Sequence, residues 1–310
     1  MTSASSTPLQ DMIPECGAIG IDIGGTSVKG GLLLPDGTRH VSVPLPTNLD
    51  SGAGVFLDDL AHWIGALGCT CPMGVGVPGV FAPGSRKLTD SPNLKTLEGC
   101  DLAQELGQRL GREAASIRVG NDANLAAFGE QWLGAGRGHD DMVMVTLGTG
   151  VGGGIILNGR VFEGPAGRGG EVGHIRIHEG ELAPIACGCG NHGCLETFAS
   201  ASAAQRLARN ASLPTDLSQL ADAARQSAGP ARDLLETIGM DLGRGLAQIL
   251  ILLDMETIII GGGFGAALDM LKPGIQEGIR ERDFTARMPQ ILEAELGSDA
   301  GWLGAARYGL

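Results

Sequence analysis

The feature that most constrains the fold is a weak repeat at an offset of 124 residues. Ile23-Gly24 matches Leu147-Gly148, Gly30 matches Gly154, and Leu32-Leu33 matches Ile156-Leu157. Each copy reads as an apolar strand, a Gly/Thr turn and a second strand. Ala18 to Ile23 runs into Gly24-Gly25-Thr26-Ser27 and then Val28 to Leu34. Met142 to Leu147 runs into Gly148-Thr149-Gly150 and then Ile155 to Leu157. A chance match between two Gly-rich turns is the competing account. Two related α/β lobes, each with a glycine-rich hairpin, explain it better.

The rest of the pattern is α/β. Pro35-Asp36-Gly37 predicts a hairpin turn before a third strand at Arg39 to Pro44. Val55 to Leu67 has the apolar spacing of an amphipathic helix. Met73 to Val77 predicts a buried strand closed by Pro78-Gly79, Leu102 to Leu110 a helix, and Ile117 to Val119 a strand. That strand delivers Gly120-Asn121-Asp122 ahead of a helix over Ala123 to Leu133. Ser200 to Asp254 reads as helical, with a nearly all-apolar central segment from Leu242 to Leu253. Thr257 to Ile260 is a strand ending in Gly261-Gly262-Gly263. Ala266 to Arg282 is helical, with Pro273 as its start or a break. Ile291 to Leu296 and Ala300 to Tyr308 predict a last strand and helix.

Composition narrows the function classes. The chain of 310 residues carries 22 Lys+Arg against 35 Asp+Glu, a formal charge of −13, which disfavours nucleic acid and anionic membrane as partners. No apolar run approaches membrane-spanning length. Met1 to Glu15 lacks the basic start and apolar stretch of a signal peptide and reads as a loose tail. The expected location is therefore cytoplasmic, where clustered cysteines read as metal ligands before disulfides.

Three constellations carry chemistry. Asp22-Ile23-Gly24-Gly25-Thr26-Ser27 and its partner Thr146 to Gly154 offer backbone N–H groups and hydroxyls to phosphate, and Asp22 suits a hydrated Mg2+ beside it. Neither turn is a P-loop or a G-x-G-x-x-G fingerprint. Gly261-Gly262-Gly263 is a third turn of this kind, flat enough to lie against a nucleotide base or ribose. Asp122, at a strand end opening a helix, has two readings. It is an N-cap, which the local sequence favours, or a general base for a substrate hydroxyl. Asn121 beside it offers donor and acceptor to a polyol. The strongest signal is His174, Cys187, Cys189 and Cys194, spaced H-x12-C-x-C-x4-C with interleaved glycines. Three thiolates and one imidazole make a closed tetrahedral Zn2+ site of the structural type. His192 competes for the fourth place, and His174 is preferred. Glu171 and Glu196 flank this loop and suit sugar hydroxyls. Cys69-x-Cys71 has no partner pair and reads as plain thiols.

These segments, in this order, resemble the ROK family, which holds bacterial sugar kinases and sugar-sensing repressors. The resemblance rests on Asp22-Ile23-Gly24-Gly25-Thr26, Val77-Pro78-Gly79, Ser91-Pro92-Asn93-Leu94 and Gly120-Asn121-Asp122-Ala123-Asn124. It continues through Leu147-Gly148-Thr149-Gly150-Val151-Gly152, Gly170-Glu171-Val172-Gly173-His174 and the segment Cys187 to Glu196. It spans about residues 18 to 308. The implied fold is the two-lobed actin/Hsp70/hexokinase-like, ribonuclease H-like α/β type with a cleft between lobes. The expected division is a flexible tail over 1–17, a small lobe of 18–121 plus about 297–310, and a large lobe of 122–296 with the zinc-binding loop.

The resemblance implies a hexokinase-type, glucokinase-like enzyme with Asp122 as the base that activates a sugar 6-hydroxyl. By the same resemblance, Gly79, Asn93, Asn121, Asp122, Glu171, His174 and Glu196 bind the sugar, His174 facing it with the nitrogen that does not bind zinc. ATP, with Mg2+, is the expected phosphoryl donor ahead of ADP or polyphosphate. Its phosphates fall to Asp22, Gly24, Gly25, Thr26, Gly148, Thr149 and Gly150, and its adenosine to Gly262 and Gly263. Ser27 stands where many members have Lys, and Lys29 lies on the same strand face. Glucose is the first-choice substrate, since nothing obvious makes room for an acetyl group. N-acetylmannosamine, N-acetylglucosamine and fructose are alternatives, ahead of a non-catalytic sugar-responsive regulator. Only 21 residues precede Asp22, too few for the DNA-binding domain of the repressors. A homodimer or homotetramer is expected.

Overall fold

The computed structural model describes residues 9–82, 85–91, 93–285 and 287–310. A helical turn α1 (Leu9–Met12) precedes strands β1 (Ala18–Ile23), β2 (Ser27–Leu33), β3 (Arg39–Val41) and β4 (Leu45–Pro46), and helix α2 (Ala53–Gly65). Strands β5 (Met73–Val77), β6 (Val80–Phe81) and β7 (Leu88–Asp90) lead to α3 (Leu102–Leu110), β8 (Ile117–Asn121) and α4 (Asp122–Leu133). Next come β9 (Met142–Leu147), β10 (Val151–Leu157) and β11 (Arg160–Val161), then α5 (Glu196–Ala199), α6 (Ala201–Asn210), α7 (Leu217–Gln226) and α8 (Pro230–Leu253). The chain ends with β12 (Thr257–Gly261), α9 (Leu268–Arg282), β13 (Gln290–Glu293) and α10 (Ala300–Gly309).

The repeat read from the sequence is a repeat of topology. Strands β1 and β9 begin 124 residues apart, and so do β2 and β10. One sheet has the order β3-β2-β1-β5-β8 and the other β11-β10-β9-β12-β13. In the first, β1 pairs antiparallel with β2 and parallel with β5, and β5 parallel with β8. In the second, β12 pairs parallel with both β9 and β13. Parallel central strands are covered on both faces, so they read as continuous apolar runs. Val75, Val77, Val143, Val145, Ile258, Ile259 and Ile260 are all fully buried.

The chain divides into two compact units. The first holds residues 1–140, 154–170 and 296–310; the second holds 141–153 and 171–295. In the first unit, Ile19, Ile21, Ile23, Phe56, Leu57 and Leu60 share a core with Met73 and Val75. Within the second, Leu235, Ile238, Leu242 and Leu246 of α8 and Leu271, Ile275 and Ile279 of α9 are buried.

Three expectations are corrected here. The boundary placed at residue 122 is wrong for α4 and for 154–170, which belong to the first unit. Helix α10 packs directly on α4: a Cβ at Gly129 would meet the Ala300 carbonyl, and one at Gly304 the Leu125 backbone. The buried carboxylate of Glu130 also accepts from the Leu296 amide at 2.8 Å. The loose tail over 1–17 does not extend over its described part. Leu9–Met12 is helical, and Ile13 is buried with Ala18, Leu33, Trp132 and Trp302. The part of that expectation covering residues 1–8 lies outside the described residues. Pro273 neither starts nor breaks α9, which runs through it. One missing N–H costs the helix a single bond, which the buried side chains around it outweigh. Among the described residues no helix is long and apolar enough to cross a membrane.

The close approach of α4 and α10 makes a direct test. Gly304→Val must push the two helices apart, and overpacking of this kind costs about 1–3 kcal/mol or more. Urea unfolding should show the loss; an unchanged midpoint would contradict the packing described.

Candidate functional site

The first unit collects its share of the expected site residues near the carboxyl ends of its strands. Strand β1 ends in the turn Gly24-Gly25-Thr26, closed by the Gly24 amide donating to the Ser27 carbonyl at 3.0 Å. Thr47 clamps this turn from outside: its hydroxyl donates to the Gly24 carbonyl at 2.7 Å and its amide to the Thr26 carbonyl at 3.0 Å. No local sequence signal marks Thr47, which follows the two-residue strand β4. Gly25 lies against the side chain of Asn93. Asp22 stands opposite Lys29 in the β1–β2 register, so the two side chains share a face. Lys29 is thus the cation opposite Asp22. Burial and the nearby charge of Asp122 push the Asp22 carboxyl up to about 7, while Lys29 pulls the other way.

At the end of β8 the structure separates two neighbouring roles. The N-cap of α4 is Asn121, whose Oδ1 accepts from the Asn124 amide at 3.0 Å. The cap reading of Asp122 is therefore corrected: Asp122 is the first helical residue, and its Oδ1 accepts from the Ala123 amide at 2.9 Å. Both residue types cap helices, and only the helix start tells them apart. Asn121 also donates from Nδ2 to the Gly79 carbonyl at 3.2 Å. Gly79 has φ of 132°, and a Cβ there would meet the Asp90 carbonyl and Leu88. Only glycine fits this bend, and Asn121 fastens it to the segment that carries Asp122.

The second unit collects the rest. His174, Cys187, Cys189 and Cys194 place one ligand atom each within 4.8 Å of all the others. Cys189 Sγ lies 3.6 Å from Cys194 Sγ, and Cys187 Sγ lies 3.5 Å from His174 Nδ1. A tetrahedral zinc with Zn–S bonds of about 2.3 Å would set its sulfurs about 3.8 Å apart. The cluster is compatible with a structural zinc ion. His192, the competing ligand, instead lies 3.0 Å from the Ala183 carbonyl through Nδ1. Burial pushes the Cys187 thiol up to about 12, so its thiolate needs a cation beside it.

His174 meets the cluster through Nδ1, and its Nε2 lies 3.9 Å from Glu171 Oε2. Glu196 ties the cluster to the glycine turn. Its Oε2 accepts from the Val151 amide at 3.1 Å and borders Gly150, and its Oε1 lies 3.6 Å from Cys187 Sγ. The turn itself is closed by the Gly148 amide on the Gly150 carbonyl at 3.0 Å, and the Gly148 carbonyl accepts from Ala201 at the start of α6 at 2.8 Å. Thr149 is exposed at its tip. Gly262 packs on the Leu147 backbone, just ahead of that turn, and Gly263 follows with open space beside it. A second feature escaped the sequence reading. Thr149, Cys187, Glu196, Ser200 and Arg206 line a cavity of about 230 Å³, where Arg206 donates to the Thr197 carbonyl at 2.6 Å.

Comparison with known proteins places these observations. The ROK family model matches residues 18–308, and the chain belongs to this family. The glucokinase of Thermotoga maritima is 33% identical, over 95% of this chain and 97% of that protein. The N-acetyl-D-glucosamine kinase of Haemophilus influenzae is 30% identical, over 93% of this chain and 97% of its own. The ROK family glucokinase of Streptomyces griseus, solved in complex with glucose and AMPPNP, superposes with a TM-score of 0.76 at 30% identity, over 94% of this chain and 98% of that one. The fold is the actin-like, two-lobed α/β type of the ROK hexokinases.

The raised carboxyl of Asp22 gives a pH prediction. With a folded value near 7 against 3.8, the folded state holds its proton where the unfolded state has lost it. Stability from this group therefore falls as pH rises from about 4 to 7 and stays low above that. Asp22→Asn should gain more stability over the natural chain at pH 8 than at pH 5 in urea unfolding. An equal difference at both values would contradict the assignment.

Proposed function

We propose that the chain is an ATP-dependent hexokinase-type phosphotransferase acting on the 6-hydroxyl of a hexose, with glucose as the substrate. The observation that carries the reading is at the β8–α4 junction. Asn121 performs the capping, which leaves Asp122 as the first residue of α4, its carboxylate just past the end of β8. Membership of the ROK family and the two kinase relatives support the same reading.

In this mechanism Asp122 accepts the proton of the 6-hydroxyl as the oxygen attacks the γ-phosphorus in line, the bond from that phosphorus to the β–γ bridging oxygen breaks, and ADP leaves. The turns Gly24-Gly25-Thr26 and Gly148-Thr149-Gly150 are the phosphate-binding elements. Their amides and hydroxyls stabilise charge that grows on the transferred group. Gly262 and Gly263 lie along the adenosine. Asn93, Glu171, His174 and Glu196 hold sugar hydroxyls, and Gly79 and Asn121 shape the bend beside Asp122. Mg2+ bound with ATP near Asp22 would neutralise phosphate charge. Ionisation of Asp22 is helped by Lys29 opposite it and by any such cation.

Zinc on His174, Cys187, Cys189 and Cys194 would serve as a structural cross-link. It would fix the His174 ring by one nitrogen and leave Nε2 for the sugar, beside Glu171. A loop this polar and glycine-rich buries little apolar surface, so metal binding would supply part of its folding energy. The similarity to an N-acetyl-D-glucosamine kinase keeps an N-acetylhexosamine as the second substrate reading.

Asp122→Asn should lower kcat by about 10²–10⁴ with little change in sugar binding. Steady-state kinetics alongside sugar titration separate the two quantities. Near-normal kcat in this variant would remove Asp122 from the role of base.

A further inference from the structure

Beside the edge strand β8 the first unit holds a second pocket, of about 600 Å³, which shares only Asn121 with the proposed sugar site. Phe81 and Arg86 contribute one wall, Arg118 and Asn121 of β8 another. Glu163, from the loop after β11, and Tyr308 of α10 complete it. All of these belong to one unit. The volume suits a single small ligand rather than a few waters.

The pocket sorts its chemistry by side. Arg86 and Arg118 present guanidinium groups, and both side chains are exposed. Arg86 donates once, to the Ala114 carbonyl at 2.6 Å. Among the described residues neither arginine is in an ion pair with a carboxylate. In a chain of net charge −13 such a pair is a local exception that attracts anions. On the other side the Tyr308 hydroxyl donates to Glu163 Oε1 at 2.9 Å. Burial and Glu163 hold the phenol well above its usual range, so it remains a donor and pins the carboxylate. A carboxylate with one bond made still accepts several more, and hydroxyls supply them.

We infer that this pocket binds a hydroxylated phosphate ester of single-sugar size, its phosphate on Arg86 and Arg118 and its hydroxyls toward Glu163. Guanidinium forks match phosphate oxygens, and a carboxylate across the pocket rejects a bare polyanion while accepting a polyol. An occupant rests on Asn121, which caps α4 one residue ahead of Asp122. Occupancy should therefore change the rate of phosphoryl transfer; this consequence, unlike the binding itself, rests on the kinase reading.

The test is equilibrium dialysis with radiolabelled glucose 6-phosphate on the full chain and three variants. Glu171→Ala disables the proposed sugar site, while Arg118→Ala and Arg86→Ala alter this pocket, the latter also removing the bond to the Ala114 carbonyl. Binding should persist in Glu171→Ala and weaken about tenfold or more in each arginine variant, the effect of losing one charged hydrogen bond. Inorganic phosphate should compete more weakly than the ester. Absence of binding to the natural chain, or binding lost in Glu171→Ala and kept in both arginine variants, would overturn the proposal. Inorganic phosphate binding as tightly as the ester would also overturn it, since the pocket would then read an ion and not a sugar phosphate. A chain that turns over no hexose would sink the kinase reading and leave this binding result standing.

Discussion

Glu196 is the group on which the second unit turns. One carboxylate accepts from the Val151 amide, borders Gly150 and reaches the Sγ of Cys187. A glycine-rich turn has little side-chain packing to fix it, and a cysteine loop has little core of its own. Each borrows order from the other through this residue. Helix α5 begins at Glu196, directly after the last cysteine ligand but one residue, so its position follows from the loop. The geometry of the glycine turn is thereby linked to the state of the four-ligand cluster and, through Glu171 and His174, to the residues assigned to sugar.

In the first unit the corresponding part is played by Asn121. Its two amide ends hold the Asn124 amide and the Gly79 carbonyl. One side chain thus fixes the start of α4, the bend after β5 and the position of Asp122 between them. Asp22 adds a second carboxylate near Asp122, and burial together with the charge of Asp122 pushes the Asp22 carboxyl up. Here the proposed assignment is a base at 122 and a cation-holding group at 22.

Much of this was legible in the sequence, for physical reasons that can be named. The duplicated strand–turn–strand showed as a 124-residue offset because buried parallel strands are apolar runs and tight turns between strands favour glycine. The cluster showed because thiolate ligands are few and closely spaced, and the structure places His174 with the three cysteines and His192 elsewhere. What was not legible depended on contacts distant in sequence. The place of α4 is set by Gly304 and Leu296 meeting Leu125 and Glu130. Capping by Asn121 rather than Asp122 turns on where the helix begins, which two adjacent cap-forming residues conceal. Partnership of Lys29 with Asp22 needs the hairpin register. The pocket beside β8 draws on four separate stretches of chain and leaves no local motif.

Phosphoryl transfer to a hexose is read out by a coupled assay of ATP consumption against hexoses and N-acetylhexosamines. Protein with measured zinc content should turn over one sugar in clear preference, with 31P NMR placing the phosphate on its 6-oxygen. Zinc-containing protein that consumes no ATP with any sugar of the panel would contradict the account.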